Sequence, residues 1–123
     1  WWVDKKLKQE LAILFVTRLL AAPVSRIALE NPIGLLSSRV RKPEQIIQPW
    51  MFGHPESKAT CLWLKGLRLL QAANNVHEHF KSLPKNQQQR LHYLPPSEDR
   101  WKIRSTTYQG IADAMAQQWG SLG

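Results

Sequence analysis

Apolar and charged positions alternate at helical spacing over the first twenty residues. Leu7, Leu11, Leu14, Phe15 and Leu19 recur at intervals of three and four, with Lys5, Lys6, Lys8 and Glu10 between them. This pattern predicts a helix over residues 5–20 that buries the leucine stripe. Pro23 cannot extend that helix, and the run from Val24 to Leu29 reads as a short buried strand, 24–30, stopped by Asn31-Pro32. Ile33 to Leu36 reads as a short turn of helix. Thr60-Cys61-Leu62-Trp63-Leu64 is rich in residues that suit a pleated sheet and is closed by Lys65-Gly66, which predicts a second strand. Gln45-Ile46-Ile47 is a candidate edge strand. Residues 71–90 are polar, amide-rich and weakly periodic, the composition of a long connection or insertion. Ile111, Ala112, Ala114, Met115 and Trp119 share one face of a helix predicted over 107–119, with Ser105, Thr106 or Thr107 as its cap.

A helix followed after a few residues by a strand is half of an α/β crossover unit, so the predicted fold class is α/β. Two clear strands are too few to cover both helices, and the expectation is that further strands come from elsewhere. The chain is therefore read as a single α/β domain over 1–123 or as the carboxyl-terminal half of a larger one. An opening on Trp1-Trp2 without methionine agrees with the second reading.

Length and charge narrow the function classes. At 123 residues one small domain buries roughly 65% of its unfolded surface. Seventeen basic against nine acidic residues give a net charge of +8, which favours a polyanionic partner, DNA or RNA before an anionic membrane. No apolar run approaches a membrane span and no secretory start is present, so the expected location is cytoplasmic. The single Cys61 excludes an internal disulfide and a cysteine-rich zinc site. Its strand context marks it as a small buried hydrophobe rather than a nucleophile. His77 and His79 offer two imidazoles without a third ligand at a useful spacing, so no metal centre is expected.

The candidate chemistry sits at Glu30 and Asn31, delivered by the first strand into a proline turn; in an α/β sheet, ligands bind beyond the carboxyl ends of strands. A lone carboxylate there is otherwise solvated or holds a backbone N–H. The segment from Gln45 to Thr60 mixes amides, aromatics, His54 and Lys58 with two prolines and a glycine, and reads as a presented loop. His54, between Gly53 and Pro55, is either a proton carrier or neutral donor facing the Glu30 pocket or a residue that fixes its own loop through the backbone. The expectation is that Glu30, Asn31 and His54 converge on one cleft, with Lys58, Arg100 or Arg104 on its rim. Arg39, Arg41 and Lys42 form a basic loop, either solvated or gripping phosphate. Arg100 and Arg104, four apart, are placed to share an anion at the start of the last helix.

Ile27-Ala28-Leu29-Glu30-Asn31-Pro32-Ile33-Gly34 resembles the Glu-Asn motif at the end of the fifth strand of cytosine-5 DNA methyltransferases. Further segments extend the likeness: Gln45-Ile46-Ile47-Gln48-Pro49, Phe52-Gly53-His54-Pro55-Glu56-Ser57-Lys58, Thr60 to Lys65, Leu94-Pro95-Pro96-Ser97, and Gly110-Ile111-Ala112 with Met115-Ala116 and Trp119. Together they are similar to the carboxyl-terminal half of small phage and prophage proteins labelled DNA methyltransferase-like, over nearly the whole chain and weakest at 71–90.

The resemblance implies a partial Rossmann-like, methyltransferase-type three-layer domain lacking its amino-terminal strands. It implies DNA as partner and S-adenosylmethionine as cofactor of the intact protein. Glu30 matches the glutamate that holds the cytosine N3 and amino edge of a flipped base, and Asn31 its neighbour, while Pro32 stands where valine is usual. The family's nucleophilic cysteine and glycine-containing cofactor loop lie in the amino-terminal half, so this chain alone is expected to bind no cofactor and to be inactive. The alternative is a non-catalytic DNA-binding or interaction module of phage origin. A homo-oligomer, or the amino-terminal half, is expected to complete the sheet.

Overall fold

The computed structural model describes residues 2–32, 35–97 and 99–120; the side chains of Trp2, Pro32 and Leu35 are not described. Ile33 and Gly34 of the strand-end motif lie outside the described residues, as do Trp1 and Glu98. Among the described residues, six helices and three strands run in the order α1 (Trp2–Ala21), β1 (Ile27–Pro32), α2 (Leu35–Arg39), β2 (Gln45–Ile47), β3 (Thr60–Lys65), α3 (His77–Ser82), α4 (Lys85–Gln88), α5 (Arg100–Ser105) and α6 (Gln109–Trp119). A 3-10 turn at Pro49–Phe52 lies between β2 and β3. The chain divides into two compact units, Trp1–Ile46 with Cys61–Leu69 and Ile47–Thr60 with Leu70–Gly123.

The strands form one small antiparallel sheet in the order β1-β3-β2. Its register is visible at both edges. Gly66, just past β3, abuts the backbone of Ser25, just before β1, and the Glu44 N–H donates to the Leu62 carbonyl at 2.9 Å. Because β1 and β2 both oppose β3, they run in the same direction, joined through α2. The α/β class is therefore found, with β3 inserted antiparallel into a strand-helix-strand crossover. The described strands do not establish the three-layer Rossmann-like sheet.

Position in the sheet explains the sequence of β3. Central strands are covered on both faces and read as continuous apolar runs, and Thr60 to Leu64 are all buried. Cys61 and Trp63 point to one face, where Val16 of α1 and Leu36 of α2 complete a core with Ile13, Leu20, Leu29 and Val40 around it. β3 outruns the three-residue β2, so its later backbone groups need other partners. Glu44 Oε2 accepts from the Leu64 N–H at 3.0 Å, Arg41 donates to the Leu64 carbonyl at 3.2 Å, and the two side chains pair at 2.8 Å. The Trp63 indole N–H donates to the Arg41 carbonyl at 2.8 Å.

The first helix forms where the spacing predicts, but it buries a different stripe. Leu7, Leu11, Leu14 and Phe15 are 45–65% exposed, whereas Val16 is 8% exposed and packs into the core with Ile13 and Leu20. Apolar residues occupy both sides of α1, so spacing alone does not choose between them. Lys65 donates to the Ala22 carbonyl just past its carboxyl end at 2.7 Å. Among the described residues no helix is long and apolar enough to cross a membrane.

In the second unit the supposed connection at 71–90 contains α3 and α4. Phe80 is buried on α3, and both α3 and α6 pack against the 3-10 turn. The last helix buries Ile111 and Ala114. It starts two residues later than the spacing predicts, after Tyr108, whose own side chain does not cap it. Thr106 Oγ1 is turned back to the Lys102 carbonyl at 2.6 Å, a local bond that competes with capping.

Candidate functional site

The sequence-predicted residues divide between the two units. Glu30, Asn31, Arg39, Arg41 and Lys42 belong to the first; His54, Lys58, Arg100 and Arg104 belong to the second. Each group is built locally, and neither unit by itself forms the expected cleft shared by Glu30, Asn31 and His54.

In the first unit, Glu30 and Asn31 occupy the carboxyl end of β1 and are half-buried. Asn31 lines a cleft of about 220 Å³ with Gln9, Ala12, Ile13 and Val16 of α1 and Leu36 of α2. Two amides set in an apolar wall leave room for a group no larger than one ring system, since drug-sized sites run to roughly 300–1,000 Å³. The neighbouring cations are partly committed. Arg39 pairs with Glu10 at 2.9 Å, and Arg41 supports β3 together with Glu44. Lys42 is exposed. Cys61 is fully buried in the β3 core, where no solvent-borne substrate reaches it.

In the second unit, His54 fixes the start of α6. Its Nε2 accepts from the Gly110 N–H at 2.9 Å, and its ring lies 5.0 Å from that of Tyr108. The first four N–H groups of a helix lack intrahelical partners, so the imidazole fills a role expected of a capping side chain or a bound anion. Glu56, two residues on, receives hydrogen bonds from Arg90 and from the Tyr108 hydroxyl. Lys58 donates through its ammonium to the Arg104 carbonyl and through its backbone to Gln48 Oε1 at 2.9 Å. Arg100 and Arg104 share α5 at the predicted spacing. Arg100 Nε is buried without a partner among the described residues. A cleft of about 270 Å³ opens beside this network, lined by Arg90, Ile103, Thr106, Thr107 and Tyr108.

The Glu56 cluster was not foreseen from the sequence. Arg90 and Tyr108 stand 34 and 52 residues from Glu56, and no local spacing links them. Burial pushes the Glu56 carboxyl up, but hydrogen bonds from Arg90 and Tyr108, with the Arg90 charge, outweigh it and hold the group below its usual 4.5. Burial, followed by the bond to Glu56, pushes the Tyr108 phenol well above its usual 10.0. A depressed carboxyl stabilises the folded state above its unfolded pKa, and that contribution is lost as pH falls through the folded value. Acid should therefore destabilise the second unit. Thermal melts from about pH 7 to 3 should show wild type losing stability more steeply than Glu56→Gln, with the variant less stable at neutral pH; parallel curves would remove the network from the stability of the fold.

Among the described residues, the glycines that follow β3 and open α6 are closely surrounded by protein. Gly66 follows β3, and a Cβ there would stand 2.0 Å from the Ser25 carbonyl oxygen. Gly110, near the start of α6, is crowded by the Phe52 carbonyl oxygen at 2.1 Å and His54 Nε2 at 2.8 Å from the corresponding point. Protein, rather than space for a ligand, surrounds both. Among the described residues no group of three or more His, Cys, Asp or Glu side chains is arranged to hold a metal ion. No protein family, no curated protein and no solved structure matches the chain.

Proposed function

We propose that this chain is the base-reading part of a nucleic-acid modification protein of DNA cytosine methyltransferase type. The observation that carries the reading is the placement of Glu30 and Asn31 at the carboxyl end of β1, with Asn31 lining a ring-sized cleft against α1 and α2. A carboxylate at a strand end is suited to the Watson–Crick edge of a base taken out of the stack, while Asn31, on the opposite face of β1, lines the cleft. The parallel β1 and β2, joined through α2, are compatible with a piece of a Rossmann-like sheet whose remaining strands lie outside this chain. The residues toward S-adenosylmethionine, and the nucleophile that attacks the base, belong to the amino-terminal half that the resemblance implies. Glu30 orients the base in this reading, and the chain supplies no covalent step.

The test is Glu30→Gln in a full-length protein carrying this chain, incubated with DNA and a methyl donor and read by mass spectrometry of the nucleosides. Loss of base modification by at least about a hundredfold with retained DNA binding is expected for a group that acts in the transition state. Unchanged modification would remove Glu30 from the mechanism.

The net charge of +8 favours a second reading, a DNA-binding module without chemistry. Its signature is a full-length protein that leaves DNA unmodified while its affinity falls steeply between about 50 and 200 mM salt.

A further inference from the structure

The α1 helix carries an apolar face that is exposed among the described residues. Val3, Leu7, Leu11, Leu14 and Phe15 are 69%, 56%, 56%, 45% and 65% exposed. At 100° per residue they fall on one arc opposite Ile13, Val16 and Leu20, which face the core. Scattered exposed leucines are ordinary; five large side chains on one helix face form a patch of the kind that marks an interface.

Charge selects the occupant. Asp4 and Arg18 are exposed and lie within this same arc, one in the first turn of α1 and the other in its last. A second copy of α1 laid antiparallel, with Leu11 facing Leu11 of the other copy, sets Asp4 opposite Arg18 at both ends. The same register sets Leu7 opposite Phe15. A parallel copy would instead put aspartate against aspartate and arginine against arginine, and would align the two helix dipoles unfavourably. The exposed side chains offer on the order of 500 Å² on each copy, or about 1,000 Å² across a pair, which reaches the lower bound for a specific interface.

We infer that two copies of this chain associate through an antiparallel α1 pair, with the Asp4 and Arg18 contacts at its ends setting orientation. The inference is independent of the proposed base-reading site.

Sedimentation equilibrium of the 123-residue chain tests it, with circular dichroism confirming that each variant is folded. Wild type should sediment at twice 14.2 kDa in the micromolar range. Leu11→Glu places two like charges face to face and should weaken association at least about a hundredfold; Leu11 is outside the protomer core, so the fold should survive. Asp4→Arg and Arg18→Asp should each weaken association, and the double variant should restore it. A wild type that remains monomeric up to about 200 μM, corresponding to association weaker than roughly −5 kcal/mol, overturns the inference. So does a dimer indifferent to Leu11→Glu, or one that the double reversal fails to rescue.

Discussion

Replacing Trp63 by alanine is expected to cost about 3–5 kcal/mol of folding stability, the range for deleting a buried aromatic. Trp63 is fully buried on the central strand, against Val16, Leu36 and Cys61. The truncation leaves a cavity lined by two helices and a strand, elements too constrained to collapse into it. It also strips the Arg41 carbonyl of its indole donor. Against a total stability of about 5–15 kcal/mol the loss is a large fraction, and the melting temperature should fall by roughly 10–20 °C. Trp63→Phe separates the two contributions: it retains much of the ring and removes the hydrogen bond, which should cost about 1–2 kcal/mol with additional loss from the smaller volume. Urea titration with an unchanged m-value measures both. A loss below about 1 kcal/mol for Trp63→Ala would mean that this core does not hold the sheet to the helices.

Gly66→Ala should be the most damaging single-methyl addition. Gly66 has φ +66°, a left-handed conformation that costs a residue with a Cβ about 1–2 kcal/mol. The added carbon would also stand 2.0 Å from the Ser25 carbonyl oxygen. Because the obstacle is backbone, no rotamer change relieves it; Ser25 must move, and with it the entry to β1. The expected total exceeds about 2 kcal/mol, with the strain and collision adding. Amide hydrogen exchange should rise first at Ile27 to Leu29 and Leu62 to Leu64, the paired segments beside the displaced turn. Unchanged stability and protection would show that the β1–β3 register does not depend on this close approach.

The sequence determined the elements whose pattern is local. The spacing of Leu7, Leu11, Leu14, Phe15 and Leu19, with Pro23 beyond them, suffices for a helix and its end, and the apolar run from Thr60 to Leu64 signals a strand. Even the isolated Gln45-Ile46-Ile47 proved an edge strand, because a short β-branched pair between polar residues has few other uses. The burial of Cys61 followed from the same strand context. Glu30 was legible near a strand end, but β1 starts at Ile27 rather than Val24, runs through Asn31 to Pro32 instead of stopping there, and is an edge strand that is only half-buried.

Other features depended on contacts between residues remote in sequence. Leu7, Leu11 and Leu14 satisfy helical spacing as well as Ile13, Val16 and Leu20 do; only the position of β3 beneath α1 decided which stripe enters the core. Phe80 gave no period from which α3 could be read, since short helices are held by tertiary packing rather than propensity. Arg41, read from the sequence as part of a basic loop either solvated or gripping phosphate, also supports β3, because β2 begins too late to pair with the carboxyl end of that strand. His54 is bound to Gly110, 56 residues away, and Glu56 gathers Arg90 and Tyr108 from comparable distances. Local spacing records what a residue's own element needs. It does not record which distant donor satisfies a helix end, a short strand or a buried carboxylate, and those unmet backbone and charge requirements were settled only when the chain folded.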